Sequence, residues 1–512
     1  MKTLLLLLPI AALAADYDLV IRNARLIDGT GAPAVTADVA VKGGKIVAVG
    51  KVDGTATRTI DAGGRVVAPG FIDVHTHVEG NIERNPRADN FLLDGVTTVI
   101  TGNCGSSELN LAAWFDKLAK LGIGINVGSL VGHNSVRREV MGAANRQATA
   151  DEIRRMQALI DHAMLDGAVG FSTGLEYIPG TYANTAEVVA LAKAAAAHGG
   201  VYTSHMRDEG IHEIEAITEA VNVGKQAGMR VEISHLKIDR RSVWGASAKL
   251  LDLIEKFRSE GVDVVADQYP YDRAATNLGI RLPSWALADG KIKERLAEPA
   301  TRAKIAAEMR ANLKEMGEPD YAFATVARYT PKPAYEGKTL AAIAASEGRA
   351  GLDGQLETIF TMMNAGGASM IYKLMGDEDI DRIMRWPNTA IASDGGVAQM
   401  GVGSPHPRSY GTNARVLGEY VRERKVLTLE DAVRRMTSLP ARTFGLSDRG
   451  VVRPGMAADL VVFDPATVAD KATFEKPHQY SVGFEWVLVN GVLAVDGGKV
   501  TAAKGGVAVR KK

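Results

Sequence analysis

Six residues of metal-binding type stand at the ends of five short apolar runs. They are His75 and His77 in FIDVHTH, Cys104 in VITGNCG, His205 in VYTSHMR, His235 in VEISHLK and Asp394 in AIASDGG. Imidazole, thiolate and carboxylate are the ligands that zinc takes, and a catalytic zinc site keeps one position open for water. Singly, each residue reads more simply: a histidine at a strand end is ordinarily structural, and a lone cysteine behaves as a small buried hydrophobe. The weight lies in their joint placement. His75 and His77 are two apart, so an extended chain turns both to one face. Asp394 precedes two glycines, which suits a turn. In a metal site it would instead take a proton from the attacking water and pass it to the leaving group.

Such scattered residues meet only if the fold gathers strand ends at one place. Strand candidates lie near 70–75, 97–102, 125–132, 169–173, 200–205, 230–235, 262–268 and 389–393, and most are separated by helical stretches. Thr149 with Glu152, and Asn184 with Glu187, have capping-box spacing ahead of two of those helices. Eight strands alternating with helices specify an α/β fold, a (β/α)8 barrel of the TIM type, whose strand ends converge at one mouth. We expect this barrel over 69–439. Residues 287–347, charged and helical with Pro and Tyr interruptions, read as an insertion between strands seven and eight. The β-rich segments 16–68 and 440–512 read as one small β-domain built from both ends of the chain. His162, His198, His212 and His478 read as surface or structural residues, whereas His133 would face the mouth.

The composition sets limits on partners and compartment. The 512 residues carry 60 Lys plus Arg against 60 Asp plus Glu. A formal net charge of zero gives no footprint for nucleic acid. A single cysteine excludes an internal disulfide. Lys2 precedes the apolar run TLLLLLPI, and Ala12-Leu13-Ala14 has the small-x-small form of a cleavage site. We read residues 1–15 as a signal peptide, with export to the periplasm or beyond the cell and no membrane span in the mature chain. Sequence leaves the oligomeric state open.

Longer motifs add a resemblance. FIDVHTH and the SDG aspartate resemble the amidohydrolase superfamily. TGNCG, GFSTGLEYIPG, SHMRDEG, ISHLK, ADQYPY and HPRSYGTNARVLG together are similar to the N-acyl-D-amino-acid deacylase (D-aminoacylase) family, over nearly the whole mature chain. The resemblance implies zinc-dependent hydrolysis of a linear amide, with a small N-acyl-D-amino acid as substrate. It makes Cys104, His205 and His235 the tight zinc ligands. His75, His77 and Asp394 complete the pocket, and Cys104 is able to bridge to a second, weaker ion. Cys104 stands at the end of strand two, and no lysine is placed where several relatives carry a carboxylated one. Lys237 and Arg408 would meet the substrate carboxylate, and Tyr177 would sit near the scissile group. Arg281, at a position that is apolar in many relatives, would read an acidic substrate side chain; otherwise it is an exposed arginine beside the insertion. Asn413-Ala414, where the family carries Phe-Pro, would alter the pocket wall. The alternatives are another amidohydrolase reaction, on a cyclic amide or a dipeptide, or a non-catalytic scaffold.

Overall fold

The computed structural model describes residues 15–511; most of the expected leader lies outside them. The N-terminal segment forms β1 (Tyr17–Leu26), β2 (Val35–Lys42), β3 (Lys45–Gly50), β4 (Ala56–Asp61) and β5 (Val66–Pro69). The chain then enters the barrel through β6 (Phe71–Asp73), β7 (Val96–Thr101), β8 (Asn126–Ser129) with β9 (Val131–Gly132), β10 (Gly170–Gly174), β11 (Val201–His205), β12 (Val231–Ile233) and β13 (Val264–Gln268). Three further strands follow, β14 (Arg273–Asn277), β15 (Ala324–Arg328) and β16 (Ser369–Lys373), before the last barrel strand, β17 (Thr389–Ile391). The C-terminal segment supplies β18 (Leu460–Phe463), β19 (Phe484–Val489), β20 (Val492–Asp496) and β21 (Lys499–Val500).

Every barrel pairing is parallel, in the orders β6-β7-β8 and β9-β10-β11-β12-β13-β17. β8 and β9 are one strand interrupted at Leu130, whose amide bonds back to Thr101. The ring closes past β6 and β17 through a parallel bridge between Thr76 and Gly395. The strands are buried along their length, which is why they read as continuous β-branched runs. β5 hydrogen-bonds to both β1 and β18, so strands from the two ends of the chain share one nine-stranded sheet.

Helix starts follow local chemistry. Thr149 and Glu152 form a reciprocal capping box on the helix Ala150–Leu165. Asn184 caps the helix Thr185–Ala196, but the Glu187 carboxylate turns inward to His133 and Arg137 instead of back to the cap. His133 is thereby held in packing between helices, away from the mouth.

The departure from βα alternation is wider than 287–347. It begins at β14 and ends at β16, and these strands make an antiparallel sheet of their own in the order β14-β16-β15. Sequence shows only the helical middle of this excursion, because short edge strands carry little periodic signal.

Candidate active site

The strand ends bring the six residues together. His75 Nε2 lies 3.3 Å from Cys104 Sγ, His235 Nε2 lies 3.5 Å from it, and His205 Nδ1 lies 3.9 Å from it. His205 Nδ1 and His235 Nε2 are 2.9 Å apart. His77 Nε2 and Asp394 Oδ1 are separated by 3.1 Å, and His75 Nε2 is 3.7 Å from the same oxygen. Three overlapping donor sets result: His75 with Cys104 and His235, His75 with His77 and Asp394, and His205 with Glu209 and His235.

Three of these residues, Cys104, His235 and Asp394, hold left-handed backbone, with φ of 52°, 39° and 49°. A non-glycine residue pays about 1–3 kcal/mol for such a conformation, and such strain clusters at functional sites. Here it turns each side chain inward just beyond the end of its strand.

Two of the histidines are oriented from behind by carboxylates. Asp267 Oδ2 is 3.1 Å from His75 Nδ1 and Glu176 Oε2 is 3.2 Å from His205 Nε2; at His235 the Nδ1 hydrogen-bonds to Lys237 Nζ at 2.8 Å, and Glu209 Oε1 lies 3.0 Å away as an ion-pair contact only. A carboxylate that accepts the proton of one ring nitrogen leaves the lone pair of the other free to bind a metal. Sequence reasoning missed all three. Glu209 stands four residues after His205 in SHMRDEG, Asp267 lies in ADQYPY and Glu176 in LEYIPG, so the motifs contained them, but no spacing showed where their side chains point.

The arrangement fits zinc. Ligand bonds of about 2.0–2.3 Å at tetrahedral angles put sulfur and nitrogen about 3.5 Å apart, which the distances around Cys104 match. Burial, together with the Lys237 ammonium, lowers His235 to about 4, so its imidazole is neutral. Burial and then the Asp394 and Glu209 carboxylates push the Cys104 thiol up; a bound cation reverses that balance and yields the thiolate. Burial works against ionised Asp394 as well. The Arg408 guanidinium, His75 and His77 outweigh it and hold Asp394 well below the usual carboxylate range.

A cavity of about 790 Å³ opens over this cluster, with His77, Cys104, Glu176, Tyr177 and Asp394 at its floor. Of the four residues considered for substrate contact, only Tyr177 lines it. Its ring packs 4.4 Å from that of His205, and its hydroxyl accepts a hydrogen bond of 3.1 Å from Thr276 Oγ1. Lys237 lies behind His235, where its ammonium donates to Glu209 Oε2 at 2.7 Å. Arg408 lies beneath Asp394, with 3.0 Å from Nη2 to Oδ2, and its guanidinium covers the Tyr269 ring at 4.7 Å. Its Nη1 and the Tyr269 hydroxyl are buried without partners.

Arg281 is turned away. It ends the one-turn helix Leu278–Arg281, where successive side chains diverge by a third of a turn. Gly279 and Ile280 line the cavity, whereas the Arg281 guanidinium packs 4.8 Å from the Tyr372 ring centre and against Met316. It is buried, not exposed, and does not reach the cavity wall. Asn413 and Ala414 are also remote from that wall: their amides hold Asp94.

A family model described as "Amidohydrolase family" matches residues 58–495. The chain belongs to the amidohydrolase family. Among members of the family, it is 37% identical to N-acyl-D-glutamate deacylase from Alcaligenes xylosoxydans xylosoxydans, over 93% of each chain. It is 36% identical to D-aminoacylase from the same organism, over 93% of this chain and 94% of that one. Among solved amidohydrolase structures, N-acyl-D-glutamate deacylase from Bordetella bronchiseptica superposes with a TM-score of 0.83 at 36% identity, over 96% of this chain and 99% of the other. That enzyme was crystallised with zinc and a phosphonate inhibitor that mimics the tetrahedral intermediate.

Proposed function

We propose that this amidohydrolase is a zinc-dependent N-acyl-D-amino-acid deacylase, which cleaves the linear amide to release a carboxylate and a free D-amino acid. The observation that carries the reading is the donor cluster around Cys104, on a chain more than a third identical to deacylases of this class along nearly its whole length. Cys104, His205 and His235 are assigned to the tight ion, with Cys104, His75, His77 and Asp394 bordering a weaker one. When bound, zinc supplies a Lewis acid that polarises the acyl carbonyl and a lowered pKa for water.

The residues of the chain perform the remaining work. Asp394, kept ionised by Arg408, accepts the proton of the attacking water as it adds to the carbonyl carbon, then delivers that proton to the leaving nitrogen as the C–N bond breaks. The Tyr177 hydroxyl already accepts from Thr276, so its own proton is free to donate to the carbonyl oxygen, which gains charge as water adds. The Arg408 guanidinium and the Lys237 ammonium place positive charge behind Asp394 and His235, on the side assigned to the substrate carboxylate; Arg408 Nη1 and the Tyr269 hydroxyl, buried without partners just behind the cavity lining, become its donors once a shift of the lining uncovers them. Export is part of the same reading: the leader MKTLLLLLPIAALA supports a periplasmic or extracellular enzyme.

Amine release from N-acetyl amino acids of both chiralities tests the reading. Turnover confined to the D-series is expected. A zinc-loaded protein inert on that series but active on hydantoins or dihydropyrimidines would instead be a cyclic amidase.

A further inference from the structure

The cavity is larger than an acetylated amino acid requires. Its volume of about 790 Å³ lies in the upper part of the range of about 300–1,000 Å³ typical of drug-sized ligands. The floor is the reaction centre. The cavity lining includes the aliphatic side chains of Ile178, Ile280, Leu282 and Leu287, set among polar ones. Arg138, on the helix His133–Met141 that follows β9, also lines the cavity, with its side chain exposed beside Ile178.

Arg138 differs from the other cations of this lining. Arg207 is committed: its Nε and Nη2 pair with Glu219, and it donates to the carbonyls of Thr181 and Ala183. His77 faces Asp394. Among the described residues Arg138 has no carboxylate partner; its Nη2 donates to the Ile178 carbonyl at 2.8 Å, and the rest of the fork remains available. The insertion closes over this end of the cavity. Asp289 N donates to Ala143 O at 3.0 Å, just past the helix that carries Arg138, and Tyr182 Oη donates to Ser284 O at 2.7 Å.

Barrel topology sets the direction. Lys237, Tyr269 and Arg408 follow the sixth, seventh and eighth strands, and Arg138 follows the third. In a ring of eight, the third strand faces the seventh. A substrate whose amino-acid carboxylate is held on the side of strands six to eight has its acyl arm directed across the mouth toward Arg138. We propose that the outer chamber is a distal acyl subsite, in which Arg138 binds a carboxylate carried at the far end of an acyl group with an apolar middle, as in a dicarboxylic acyl chain such as glutaryl. This rests on the deacylase reading above and adds the acyl half of its specificity. A guanidinium fork suits a terminal carboxylate, and the aliphatic side chains of the lining suit the methylenes before it.

The test compares N-glutaryl and N-pentanoyl derivatives of one D-amino acid, two acyl groups of equal chain length that differ in the terminal carboxylate. The zinc-loaded enzyme is expected to prefer the glutaryl substrate by about tenfold in kcat/KM, expressed in KM, as for one charge-assisted contact. Arg138→Met should collapse that ratio toward one, and Arg138→Lys should restore part of it. No preference in the parent enzyme, or a preference that persists in Arg138→Met, overturns the subsite. An enzyme inert on every N-acyl-D-amino acid refutes the deacylase reading itself, a result distinct from activity without acyl discrimination.

Discussion

Two buried aspartates, Asp459 and Asp394, show how differently this chain treats a carboxylate. Asp459 lies where the terminal sheet meets the amino ends of the barrel strands. It accepts from Asn126 Nδ2 at 3.0 Å, from the Asn490 amide at 2.6 Å and from Arg449. Both of its oxygens are engaged by groups of the fold. Asp394, at the opposite end of the barrel, also has an arginine, but its remaining neighbours are His77 and His75, and it faces a cavity. Around it, Arg408 Nη1 and the Tyr269 hydroxyl stay unpartnered. A closed network pins two parts of a fold together. A convergent network left open toward a cavity is built for something that arrives later.

Substitutions should separate these roles. The largest effect is expected for Asp394→Asn, which keeps the size of the side chain and removes the base. Turnover should fall about 10²–10⁴-fold, with zinc content retained and the protein still folded. Near-normal turnover would contradict the proton-transfer role. Cys104→Ala removes the donor common to both metal sets, and zinc affinity should drop by about 100-fold or more, measured by competition with a chelator. Unchanged affinity would refute that ligand assignment. At the other end of the barrel, Asp459→Ala strips the buried Arg449 of its buried carboxylate partner and leaves it only the half-exposed Asp448. Stability should fall by about 3 kcal/mol in denaturant unfolding, while kcat per folded molecule stays constant. A selective loss of kcat would break the distinction between the two ends. The smallest effect is expected at Arg281. Arg281→Met keeps the contact with Tyr372, and the ratio of rates on acidic and apolar D-substrates should not move. A shift in that ratio would place Arg281 back at the substrate.

The contrast also marks what sequence could and could not convey. The six metal-type residues were legible because each ends an apolar run, and a parallel barrel turns strand ends into neighbours. The zinc chemistry followed from their types, and the shared β-sheet from the alternation at both ends of the chain. The carboxylates behind the histidines were not legible. Asp267 reaches His75 across a sequence separation of 192 residues, and no local pattern encodes which strand lies opposite which. Arg281 failed for a different reason. Its position beside the cavity was right, but in a single helical turn one residue of rotation decides whether a side chain faces solvent, cavity or core. Glu187 shows the same limit from the other side: capping spacing predicted the helix start, and tertiary packing took the carboxylate for His133 and Arg137.

The most direct test of the account is X-ray absorption at the zinc edge on enzyme loaded with one equivalent of metal. The proposed function gives Cys104 to the tight ion with His205 and His235, so one sulfur scatterer at about 2.3 Å is expected among nitrogen and oxygen ligands at about 2.0–2.2 Å, with the sulfur lost in Cys104→Ala. A first shell of nitrogen and oxygen alone in the parent enzyme would contradict it.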